Sequence, residues 1–115
     1  MSNIPTYLQY IDGQWISSDS GKLDDILNPS NEELVGRVQD GSRSDAEKAL
    51  KAAKNAQKSW RKLPPRQRAA LLYTFTDEIR KNADRLAKLL VQEQGKLLSL
   101  ARIEVEVTCT FIEYL

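Results

Sequence analysis

The chain has 115 residues, 41% hydrophobic and 29% charged, the size and make-up of one globular domain rather than a disordered tract. Seventeen lysines and arginines against sixteen aspartates and glutamates leave a net charge of +1, too weak a field to steer the chain to nucleic acid or to an anionic membrane. One cysteine and no histidine exclude an internal disulfide and any Ser–His or Cys–His nucleophile pair within the chain.

The opening residues, 1–7, lack the basic segment and apolar run of a signal peptide. No apolar stretch approaches the roughly 20 residues that span a bilayer. The expected location is the cytoplasm, with no membrane partner. Between apolar flanks, Asp12-Gly13 in Tyr10–Ile16 signals a tight hairpin. The small polar run Ser17–Lys22 reads as a loop. Ile26-Leu27 lead into the turn-forming pair Asn28-Pro29, and Leu34–Val38 reads as a strand closed by Asp40-Gly41. Residues 10–40 are therefore expected to form short antiparallel strands with turns.

Helices are expected over 42–115. Ser44-Asp-Ala-Glu47 matches a capping box, in which the serine hydroxyl and the glutamate serve each other's backbone amides. Ala46, Ala49, Leu50, Ala53, Ala56 and Trp60 follow at helical spacing as one apolar stripe. Pro64-Pro65 stop that helix, and the second proline suits the first turn of another. Leu72, Phe75 and Ile79 share a face of this second helix. Asn82-Ala-Asp84 marks a break, Leu86, Leu89 and Leu90 continue the pattern, and Gly95 looks like a terminator. In Leu97–Leu115 an apolar side of Leu100, Ile103, Val107, Phe111 and Ile112 is expected. Its β-branched residues lower helix propensity, so this helix requires tertiary packing.

Few side chains suggest chemistry. Cys109 lies well inside its helix with no cationic neighbour close in sequence, which favours an inert buried thiol. Glu104 and Glu106, two apart, fall on nearly opposite sides of a helix and cannot act as a dyad. Lys51, Lys54, Lys58 and Arg61 line a face without interleaved aromatics, as a solvated face does. Gly13, Gly21, Gly36, Gly41 and Gly95 fit no phosphate loop, and no Cys/His/Asp cluster has transition-metal spacing. On residue types alone, this is an α+β domain without a catalytic constellation.

The order of short motifs adds a family. Tyr10-Ile-Asp-Gly-Gln-Trp15, Ile26-Leu-Asn-Pro-Ser-Asn-Glu32 and Val35-Gly-Arg-Val38 are followed by the Asp45–Ala53 run, Trp60, Pro64 and Arg66-Gln-Arg-Ala69. Glu93-Gln-Gly-Lys96 and Glu104-Val-Glu-Val107 complete the series. Together they resemble the opening of NAD(P)-dependent aldehyde dehydrogenases, a family of oxidoreductases, over nearly the whole chain from Tyr10. The run Ile103–Val107 with Tyr114 is most similar to the lactaldehyde/glycolaldehyde dehydrogenase branch.

The resemblance implies a parent α/β fold with a Rossmann-like cofactor domain, of which 1–115 is the N-terminal part. It also implies oxidation of a small-molecule aldehyde through a cysteine thiohemiacetal, with NAD or NADP accepting the hydride. The family's nucleophilic cysteine, general-base glutamate, oxyanion asparagine and cofactor-binding lysine have no counterparts here. The chain is therefore expected to be an inactive fragment that binds no dinucleotide alone. One carry-over is a Na+ or K+ site at the backbone carbonyls of Ile26 and Leu27 with Glu93, where many members have aspartate. The final helix is expected to border the substrate entrance. The alternative is a non-enzymatic helical module that self-associates or binds a partner through exposed apolar stripes. A third possibility is a complete small helical bundle with a hairpin.

Overall fold

The computed structural model describes residues 3–115. Five short strands precede four helices: β1 Thr6–Tyr7, β2 Gln9–Ile11, β3 Gln14–Ile16, β4 Leu23–Leu27, β5 Leu34–Gln39, α1 Arg43–Trp60, α2 Pro65–Lys81, α3 Ala83–Gln94 and α4 Leu98–Tyr114. This is the α+β architecture that the sequence predicts. The chain divides into two compact units, one of residues 3–27 and 32–62, the other of residues 28–31 and 63–115.

In the first unit, β2 and β3 form an antiparallel hairpin with Tyr10 opposite Trp15. Its turn holds Asp12 and Gly13 at φ 55° and 75°, the doubly left-handed geometry that matches strand twist in a two-residue hairpin. The Tyr10 and Trp15 rings stack at a tilt, 4.9 Å between centroids. A second sheet has the order β1-β5-β4. β4 and β5 are antiparallel, as expected for residues 10–40, with an irregular step between Ile26 and Leu27. β1, which lies before that span, joins β5 in parallel.

The start of α1 differs from the sequence expectation by two residues. The cap is Ser42, not Ser44, and its capping-box partner is Asp45 rather than Glu47. Ser42 Oγ accepts from the Asp45 amide at 3.1 Å, and Asp45 Oδ2 accepts from the Ser42 amide at 2.9 Å. The earlier start wins because Asp45 gains a further partner that a local motif cannot register. Ser18, from the loop before β4, donates its hydroxyl to Asp45 Oδ2 at 2.6 Å. The expected apolar stripe of α1 is also largely uncovered: Ala46, Leu50, Ala53 and Ala56 are exposed and only Ala49 is half-buried.

The second unit contains all the buried hydrophobic residues among those described, namely Ala87, Ala101, Val105 and Cys109. α4 packs against both α2 and α3. Pro65 occupies the first turn of α2, Asn82 separates α2 from α3, and Gly95 ends α3. Gly95 is fixed twice over. Its φ of 66° is left-handed, and a Cβ there would stand 3.1 Å from the Pro29 ring. Leu72 and Ile79 are half-buried while Phe75 is exposed, and the fully buried residue on α2 is Thr76.

The inner face of α4 is another correction. The expected side included Leu100, Ile103, Val107 and Phe111, yet all four are exposed, and Ala101, Val105 and Cys109 face inward. Both sides of α4 are apolar, so hydrophobic spacing alone could not choose between them. The small residues won because they let neighbouring helices approach closely.

Candidate functional site

Cys109 is the only thiol in the chain, so any thiol chemistry must begin with it. It is fully buried, and its Sγ lies 3.8 Å from the Thr76 carbonyl oxygen. Burial pushes its pKa up, with Arg80 pulling the other way and Glu106 and Glu113 adding to the rise. A thiol closed to solvent, with its ionisation disfavoured by burial, is a packing group.

Around it sits an ion network. Arg80 of α2 donates from Nε and Nη2 to Glu106 and from Nη1 and Nη2 to Glu113. Thr76 donates its hydroxyl to Glu113 at 2.9 Å. The Arg80 and Thr76 hydrogen bonds hold the Glu113 carboxyl below its ordinary range. The same two carboxylates push the Arg80 guanidinium still higher. One guanidinium holds two carboxylates, so the cluster keeps a net charge of −1; both carboxylates are hydrogen-bonded to Arg80, which ties α4 to α2. Sequence reasoning missed this network, because Arg80 and Glu113 are distant in the chain and neither lies in a motif.

Glu104 and Glu106 serve different partners: Glu104 pairs with Lys96 and Glu106 with Arg80. Lys51, Lys54 and Lys58 of α1 and Arg61 just beyond it are exposed, and Lys58 donates to Asn55. Of the expected cation ligands, Ile26 and Leu27 close β4 in the first unit. Glu93 stands in the last turn of α3 in the second, exposed. There it borders a groove of about 390 Å³ lined by Ile79, Leu86, Leu89, Leu90 and Val105, with Glu104 and Thr108 at its edge. Among the described residues, no group of three or more His, Cys, Asp or Glu side chains is placed to hold a metal ion.

The glycines do not make a dinucleotide cradle. Besides Gly95, the tight one is Gly36, where a Cβ would meet the Tyr7 ring at 3.2 Å and the Pro5 carbonyl at 3.3 Å. At both positions the neighbouring atoms are protein, so each glycine is accounted for by packing within the chain.

The aldehyde dehydrogenase family profile matches residues 15–115. The chain belongs to that family. It is 53% identical over 108 residues to 3,6-anhydro-α-L-galactose dehydrogenase of Vibrio sp. strain EJY3. It is 39% identical over 106 residues to lactaldehyde dehydrogenase of Escherichia coli K12. These stretches cover 94% and 92% of this chain but 22% of each relative. This member of the aldehyde dehydrogenase family thus spans about a fifth of the length of the curated relatives it matches.

Solved structures agree. A 3,6-anhydro-L-galactose dehydrogenase in complex with NAP superimposes with a TM-score of 0.91 at 50% identity, over 95% of this chain and 23% of that one. Lactaldehyde dehydrogenase from Escherichia coli gives 0.92 at 37% identity, over 97% and 24%. The strands and helices described above are therefore those of whole aldehyde dehydrogenases.

Proposed function

We propose that residues 1–115 are the N-terminal part of the cofactor domain of an NAD(P)-dependent aldehyde dehydrogenase that oxidises an aldehyde to a carboxylate. We further propose that the chain alone does not catalyse this reaction. The first statement rests on the family match and the high similarity to named dehydrogenases. The second rests on Cys109. Aldehyde oxidation in this family needs a thiolate open to the carbonyl carbon, and the one thiol here is buried, with its pKa pushed up by that burial. In a whole enzyme the nicotinamide would take the hydride, and the residues of this chain would support the domain that carries it.

The expected test result is direct. Purified chain mixed with lactaldehyde, glycolaldehyde or betaine aldehyde and either NAD+ or NADP+ produces no absorbance at 340 nm above a protein-free blank. Turnover that disappears in Cys109→Ala would overturn the proposal. A role for Ile26, Leu27 and Glu93 as oxygen donors to Na+ or K+ in the whole enzyme belongs to this reading on resemblance alone. The described helices include none long and apolar enough to cross a membrane.

A second reading, self-association or capture of a partner, is favoured by exposed apolar side chains such as Leu50, Phe75 and Phe111. Size-exclusion chromatography separates the two: a monomer at all concentrations tested counts against self-association.

A further inference from the structure

We draw no further inference here: the strongest candidate, the apolar groove of about 390 Å³ between α2, α3 and α4 with Glu93, Glu104 and Thr108 at its edge, is an open face of the second unit, and nothing in the structure shows what covers it.

Discussion

The two units are held together by opposite kinds of chemistry. In the first, the buried side chains are polar: Ser18 at 6% exposure and Asp45 at 2%. Ser18, Ser42 and the Asp19 amide converge on the Asp45 carboxylate. Ser20 donates to the Asp40 carbonyl at 2.6 Å, and Gln39 accepts from the Ser18 amide while donating to the Tyr7 carbonyl. This knot fastens the start of α1 to two loops and a strand without burying a hydrophobic side chain. In the second unit, small apolar residues pack α4 against α2 and α3, and the Arg80 network closes the edge. Hydrogen bonds fix a geometry but contribute modest net stability, whereas apolar burial is the main driving force. The second unit should therefore be the more persistent in the isolated chain, and the first should depend on the rest of an enzyme for its apolar cover.

The sharpest way to break this contrast is to overfill the second core. Ala101→Leu inserts a branched side chain where none of the residue is exposed, and should destabilise the second unit by about 2–3 kcal/mol. Hydrogen exchange should then show protection in α3 and α4 falling to the level of α1. Next in size is Asp45→Ala, which leaves the Ser18 hydroxyl and the Ser42 amide without their acceptor. Exchange at residues 42–47 should speed up by about tenfold or more, while α4 is unchanged.

Acid gives a smaller, graded effect. Hydrogen bonds from Ser18 and from the Ser42 backbone hold the Asp45 carboxyl well below the usual carboxylate range. Arg80 and Thr76 lower Glu113. A depressed folded pKa gives stability that is complete above the unfolded values, ~3.9 for Asp and ~4.3 for Glu, and is lost as pH falls through the folded ones. Both units should weaken only below about pH 4.5. Asp45→Asn should flatten the acid limb for the first unit alone. Smallest of all should be Lys48→Ala. It removes an exposed ion pair to Asp19 and should move the melting temperature by no more than ~2 °C.

The contrast also explains what could be read from the sequence. Asp12-Gly13, Pro65 and Gly95 each sit where backbone dihedrals leave little choice, so the hairpin, the α2 start and the α3 end were legible. The knot was not. Ser18 and Asp45 are 27 residues apart, and the nearby Ser44–Glu47 pattern is an equally good local cap. The parallel β1 is two residues long and carries no periodicity. α4 misled because its larger side chains lie on the side that this chain leaves open. For the site, motif order gave the family, and the absence of histidine narrowed the chemistry. The surroundings of Cys109 include the Thr76 carbonyl and the charge of Arg80, which only the fold brings near.

The account stands or falls on Cys109 being a structural thiol, and its labelling rate with a thiol-specific reagent at pH 7.5 measures that. The account predicts labelling in native buffer at least about tenfold slower than in urea at a concentration that abolishes the helical circular dichroism signal. Equal rates in the two conditions, with the helical signal intact in native buffer, would show an open and reactive thiol and contradict it.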